Sequence, residues 1–198
     1  SNLSNIEGKK FDIIHNHQTS LNYHSLWTKS PFIFHYHGTS NKIQKLNLDL
    51  SLKLCKKNIS YLISVSKSAL NKIDSLGDIP SEVIYNGVDT KFFKPQNETI
   101  FKKGDPQLLF VGNLYPYKNI EKLIEIIPRI KDVFPNIHLQ IAGNGKHIHF
   151  LKKLVKEQKI EKNIEFLGNV QHEELKKIYN STDIYISSSK MEANPLPP

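Results

Sequence analysis

Short apolar runs alternate with helix-length segments along nearly all of this 198-residue chain, and that alternation constrains the fold more than any other feature. Parallel strands need a long crossover, usually a helix, so strand-helix repetition selects an α/β architecture with parallel sheets. The expected strands are Phe11 to His15, Pro31 to His35, Tyr61 to Val65, Glu82 to Tyr85, Gln107 to Gly112, Ile137 to Ala142, Asn163 to Leu167 and Asp183 to Ile186. A helix is predicted from about Asn119, with Ile120, Leu123, Ile124 and Ile127 on one face, and Pro128 is expected to kink it or end it early. Two more are predicted over about Lys146 to Gln158, with Phe150, Leu151, Leu154 and Val155 inward, and over about His172 to Tyr179.

One segment reads two ways. Leu46, Leu48, Leu50, Leu52 and Leu54 alternate with polar residues, as in a strand, yet Ile43, Leu46, Leu50 and Leu54 also share one helical face. The crossover between parallel strands decides for a helix. It would carry Lys42, Lys45, Lys53, Lys56 and Lys57, which makes it either a solvated crossover or the best candidate for a membrane-surface contact. From Lys94 to Pro106 the chain is polar, bracketed by prolines and without apolar period, so 94–106 is read as an interdomain linker between 1–93 and 107–198.

Composition narrows the partners. The net charge is +8, which suits nucleic acid, anionic lipid or a phosphorylated ligand equally well. Yet Arg129 is the sole arginine among 27 basic residues, leaving 26 lysines, so the guanidinium fork that reads guanine is nearly missing. That argues against sequence-specific nucleic-acid binding. Cys55 is the only cysteine, which excludes an intrachain disulfide and a cysteine-based metal cage and fits a reducing compartment. No run approaches the roughly 18 apolar residues of a membrane span. The opening Ser1-Asn2-Leu3-Ser4-Asn5 reads as neither a signal peptide nor a Met start, so the chain is taken as a piece of a longer protein.

Ligands of open parallel sheets bind beyond the carboxyl ends of the strands. Here those ends read His15-Asn16-His17, His35-Tyr36-His37-Gly38-Thr39 and Ser64-Val65-Ser66. Farther on, Gly112-Asn113-Leu114 is a turn after a strand, with Lys118 at the opening of a helix, and Gly143-Asn144-Gly145-Lys146 is a second glycine turn. Helix-start amides and an ammonium together suit a phosphate, and the glycines let backbone approach it or serve turn geometry alone. Gly143-Asn144-Gly145-Lys146 lacks the spacing of a nucleotide phosphate loop and the third glycine of a dinucleotide fingerprint. The pairs His15/His17, His35/His37 and His147/His149 have the spacing of metal ligands on a strand, but no carboxylate except Asp12 stands beside the first two, and the third opens a helix, where residues two apart diverge. No metal site is expected.

Taken in order, these residues resemble the retaining nucleotide-sugar glycosyltransferases of family 4, also called glycosyl transferases group 1, with the GT-B fold. The resemblance rests on Asp12-Ile13-Ile14-His15-Asn16-His17, Tyr36-His37-Gly38, Ile63-Ser64-Val65-Ser66, and Asn86-Gly87-Val88-Asp89 with Phe92, Phe93 and Pro95. It continues through Phe110-Val111-Gly112-Asn113-Leu114 with Lys118, Ala142-Gly143-Asn144-Gly145, and Phe166-Leu167-Gly168 with Asp183 and Ser187-Ser188. It implies two Rossmann-like doubly wound domains, both incomplete: 1–93 as the end of the acceptor-side domain and 107–198 as the start of the nucleotide-sugar domain. It also implies transfer of a hexose-type sugar from a nucleoside-diphosphate sugar to an acceptor hydroxyl of a saccharide or glycolipid, with no cofactor and no obligatory metal. Surface polysaccharide or glycolipid synthesis at the cytoplasmic face is expected, with peripheral contact to anionic membrane.

The residues carried over by resemblance are His37 and Glu192 as catalytic groups at the donor sugar, and Gly112, Asn113 and Lys118 at the donor phosphates. Gly143, Gly145, Asn194, Pro195 and Leu196 are carried over as nucleotide-sugar contacts. Asn113 stands where the family has arginine, so one cationic contact is lost. The family's pair of glutamates separated by seven intervening residues is represented by Glu192 alone, its partner falling beyond Pro198, and as displayed the chain is expected not to turn over. Two rivals stand beside this reading. One is another GT-B enzyme such as a sugar-nucleotide epimerase, marked by an acid pair in the earlier region. The other is a non-catalytic lysine-rich module on membrane or polymer, marked by salt-sensitive binding indifferent to nucleotide sugars.

Overall fold

The computed structural model describes residues 11–39, 41–73, 76–96, 100–190 and 192. The described residues divide into two compact units, the first running as far as Gly87 and including Glu192, the second running from Val88 as far as residue 190. Among the described residues no helix is long and apolar enough to cross a membrane.

The first unit holds β1 (Ile14–Asn16), β2 (Phe32–Tyr36), α1 (Lys42–Cys55), β3 (Tyr61–Ser64), the short α2 (Lys67–Leu70) and β4 (Ser81–Val83). Its strands pair in parallel in the order β1-β2-β3-β4. Period-two alternation divides β2 cleanly: Phe32, Phe34 and Tyr36 enter a core with Leu48, Leu52, Cys55 and Leu62, while Ile33 and His35 face the other way. Asn41 caps α1 by accepting from the Gln44 amide at 2.9 Å, and Ser66 caps α2 by accepting from the Ala69 amide at 3.0 Å.

The predicted helix in the leucine-rich segment is present, and the face expected to gather its apolar residues is the one turned outward. Ile43, Leu46, Leu50 and Leu54 are 80%, 69%, 49% and 57% exposed, whereas Leu48, Ser51, Leu52 and Cys55 are buried. Strict alternation puts leucines on both sides of a helix, so the neighbours choose. Buried Asn22 donates to Ser51 Oγ at 3.1 Å, fixing which side of α1 meets the rest of the unit.

The second unit holds β5 (Gln107–Val111), α3 (Ile120–Lys131), β6 (His138–Ala142), α4 (Ile148–Glu157), β7 (Ile164–Gly168), α5 (His172–Asn180) and β8 (Ile184–Tyr185). The sheet is parallel in the order β7-β6-β5-β8. Pro128 neither ends nor breaks α3, which runs on to Lys131. An interior proline costs about 3 kcal/mol, but beyond it Ile130 packs against the same core as fully buried Ile124 and Ile127, which keeps the last turn on the sheet. Phe150 is also not inward: it is half exposed and stacks on His147 at 4.7 Å, while Leu151 and Val155 fill the core.

Residues 88–106 group with the second unit. Asp89 accepts from the amides of Lys91 and Phe92 at 2.9 and 3.1 Å, so the acid of Asn86-Gly87-Val88-Asp89 builds a turn. Phe92 and Phe93 pack against His172 at 4.8 and 4.9 Å. The polar stretch is fastened by the Gln96 amide on Asn180, the Phe101 amide on Ser181 and Lys102 on Asp183.

Candidate functional site

In the second unit two turns at the carboxyl edge of the sheet are fused. The Gly112 amide donates to the Ala142 carbonyl at 3.0 Å, the Leu114 amide to the Asn144 carbonyl at 2.9 Å, and the His147 amide to the Leu114 carbonyl at 3.1 Å. Both glycines of the second turn are required by this contact. A Cβ on Gly143 would fall on the Gly112 carbonyl oxygen, and one on Gly145 would fall on that of Leu114. Gly112 itself has φ +155° and lies against the Phe110 ring. The glycine pattern therefore records backbone packed on backbone at this edge.

Lys118 ends a single 3-10 turn (Pro116–Lys118), and Asn119 then takes a left-handed conformation, φ 56°, before α3 starts. Ser188 Oγ lies 3.2 Å from the Lys118 carbonyl and 2.8 Å from that of Asn119, clamping this peptide in place. The helix-start amides of Ile120 and Glu121 have no acceptor within their own helix by geometry. Lys118 Nζ sits 5.7 Å from the Tyr117 ring centroid, and Asn113 is exposed beside it in the turn. Gly112, Asn113, Lys118, Gly143 and Gly145 are thus brought together around one edge suited to an anion.

The sequence reading missed two neighbours. His147 does not pair with His149; its Nε2 faces Glu121 Oε2 at 3.6 Å, both side chains largely enclosed. Ser188, seventy residues along the chain from Lys118, was seen only as part of an ordered motif and turns out to hold the lysine's backbone. Neither contact follows a short spacing, so no local pattern could have signalled it.

In the first unit, His37 lies in a group of four imidazoles. His15 and His35 stack with ring planes within 1° at 5.3 Å, His35 and His37 stack at 4.5 Å, and His17 Nδ1 hydrogen-bonds His37 Nε2 at 2.9 Å. Parallel pairing explains the gathering: Asn16 lies opposite Phe34, so the next residues, His17 and His35, follow side by side on the outer face. Burial, with the neighbouring His37, His17 and His15 adding to it, pushes His35 down to about 4. Burial first, and adjacent histidines second, also lower His15 and His37. Those rings are neutral near pH 7 and act as hydrogen-bonding or ligating groups there. Glu192 is half-buried and groups with this unit. Asn194, Pro195 and Leu196 lie outside the described residues.

With this geometry in hand, residues 91–198 match the family described as Glycosyl transferases group 1, and residues 3–92 match Glycosyltransferase Family 4. The GPI3 subunit of phosphatidylinositol N-acetylglucosaminyltransferase from Saccharomyces cerevisiae is 23% identical over 185 residues, 89% of this chain and 41% of that protein. An uncharacterized glycosyltransferase of Methanocaldococcus jannaschii, MJ1607, is 32% identical over 144 residues, 66% of this chain and 37% of the relative. Anabaena Alr3699/HepE in complex with UDP has a TM-score of 0.75 at 17% identity, over 91% of this chain and 54% of that one. Sucrose-phosphate synthase from Thermosynechococcus elongatus gives 0.77 at 18% identity, over 94% and 52%. These likenesses show a GT-B fold. The chain spans about two fifths of the length of the curated relatives it matches.

Proposed function

This chain belongs to the glycosyl transferases group 1 family, and on that premise we propose that its protein moves a hexose-type sugar from a nucleoside-diphosphate donor to an acceptor hydroxyl with retained anomeric configuration. The observation that carries the proposal is the fused Gly112 and Gly143 turns with the clamped Lys118 peptide at the start of α3. In the transfer, the bond from the anomeric carbon to the phosphate oxygen breaks, a bond to the acceptor oxygen forms, and the acceptor proton passes to the departing diphosphate or to solvent. Charge accumulates on the departing diphosphate. Lys118 and the turn amides stabilise it where it develops, which is how such a site lowers a barrier. Asn113 supplies a neutral side chain there, so Lys118 bears a larger share of the cationic stabilisation. On the family reading, His37, neutral near pH 7, and Glu192 hold the sugar hydroxyls, and Asn194, Pro195 and Leu196 complete the donor contacts.

A nucleoside-diphosphate donor is supported by the solved neighbours named as complexes with UDP and UDP-glucose. A glycolipid acceptor is supported by the relatives named as phosphatidylinositol N-acetylglucosaminyltransferase subunits, and its place at the cytoplasmic face of the membrane is part of the same proposal. The outward stripe of α1 adds a means of reaching it. Ile43, Leu46, Leu50 and Leu54 form an exposed apolar row, Lys42 and Lys53 lie about a quarter-turn to its side, and Lys56 and Lys57 follow its end. Such a row flanked by lysines matches the surface of anionic lipid.

Thermal unfolding with nucleoside diphosphates, the corresponding monophosphates and inorganic pyrophosphate tests the donor reading. Diphosphates are expected to raise Tm in the native chain and not in Lys118→Ala. No shift with any nucleotide, or the same shift in both proteins, contradicts it.

A further inference from the structure

We infer that His15, His17 and His35 form a binding site for a late first-row divalent metal, zinc being the natural occupant, with His37 as the hydrogen-bonded support of His17. The inference does not rest on the transferase reading, and no step of sugar transfer is assigned to the metal.

The geometry is specific. One ring nitrogen from each of His15, His17 and His35 lies within 4.8 Å of the others. Tetrahedral zinc with bonds of about 2.0–2.1 Å spaces its ligands about 3.3–3.4 Å apart, so side-chain rotations of roughly an ångström close the set. The backbone beneath is set by the β1-β2 pairing, which carries His15 and His35, with His17 one residue past the end of β1 on the same face. Across that face, His15 to His17 and His17 to His35 have ring centroids at 4.4 and 4.9 Å.

A second, independent observation points to a ligand. Both ring nitrogens of His35 are shielded from solvent and have no hydrogen-bond partner among the described residues. Leaving a shielded donor or acceptor unmade costs about 1–3 kcal/mol. A metal on one nitrogen removes half of that cost. His17 allows the complementary arrangement: its Nδ1 shares a hydrogen bond with His37 Nε2 at 2.9 Å, and in the tautomer in which Nδ1–H donates, the lone pair sits on Nε2. Metal-bound histidines commonly use their other N–H in this way, and the partner orients the ring.

The ligand set selects the metal. Three imidazoles without thiolate or carboxylate suit zinc, cobalt, nickel or copper and do not suit magnesium or calcium, which need oxygen ligands. Three protein ligands also leave a fourth position open to water or a substrate oxygen.

Cobalt is the probe. Titration of tag-free chain with Co2+ is expected to give a single equivalent with the intense visible bands of a tetrahedral site, displaced by Zn2+. His35→Gln and His15→Gln are expected to lose those bands, and His149→Gln, on α4, to keep them. His15 is exposed, so its variant tests the site even if His35→Gln fails to fold, which far-UV circular dichroism checks. Replacing His37 by Ala is expected to weaken binding by about 10–100-fold, as loss of a ligand's hydrogen-bond partner does. Absence of a tetrahedral spectrum in the folded native chain overturns the proposal. So does a spectrum that persists in a folded His15→Gln or His35→Gln.

Discussion

Gly143 rests directly on Gly112: the first has φ +133°, and a Cβ built on it would occupy the carbonyl oxygen of the second. The strands bring the turns alongside, and the missing side chain lets them touch. Gly143→Ala is expected to cost about 2–4 kcal/mol, combining left-handed strain with overpacking against backbone. Gly168→Ala, where φ is +68° and the space is open, is expected to cost only about 1–2 kcal/mol. Denaturant midpoints at unchanged slope measure both, and equal effects would refute the packing argument.

The two sides of α1 are expected to answer differently to substitution. Leu52 is fully buried, and Leu52→Ala should destabilise by about 2–5 kcal/mol. Leu50→Glu on the outward row should change stability by no more than about 0.5 kcal/mol. The same variant should lose binding to vesicles containing anionic lipid. Sedimentation with such vesicles at low and high salt reads this, since screening weakens the lysine contribution. Undiminished sedimentation of Leu50→Glu would remove α1 from the membrane contact.

Asp183 accepts from the Gln107 amide at 2.7 Å and pairs with Lys102 at 2.9 Å. The Gln107 amide first, and Lys102 with it, hold its carboxyl below the ordinary 3.8. A depressed carboxylate contributes stability above its unfolded value, and the contribution is lost as pH falls through the folded one. Asp183→Asn should therefore lower Tm near pH 7 by the equivalent of at most about 1 kcal/mol, the group being partly exposed. The gap between variant and native chain should narrow as pH falls below 3.8 through the depressed folded value, because the native residue then takes up its proton too.

Cys55 is fully buried, and burial pushes its thiol above 9.0. The thiolate is the reactive form, so the native chain should resist Ellman's reagent and react fully once denatured. Rapid reaction of the folded chain would mean that α1 opens readily.

Strand positions and strand ends were legible in the sequence because a short apolar run between polar groups can span a sheet but is too short to bury one side of a helix. All eight expected strands are present, shifted by one to three residues at their ends. The outward side of α1 was not legible, because alternating leucines supply two equivalent faces and only contacts such as Asn22 to Ser51 choose between them. The continuation of α3 through Pro128 depends on burial of Ile124 and Ile127, a tertiary effect that overrides a local rule. The two His-x-His pairs could be read one strand at a time. Their assembly into one group required the β1-β2 register, and the Ser188 clamp on Lys118 required the folded unit.

The central claim is that the Gly112 to Lys118 turn receives the diphosphate of the donor. Amide chemical-shift mapping of the 15N-labelled chain during titration with UDP tests it most directly. The account predicts saturable shifts at Gly112, Asn113, Lys118, Gly143 and Gly145, abolished in Lys118→Ala. Shifts confined to the first unit, or none at millimolar UDP or any other nucleoside diphosphate, would contradict it.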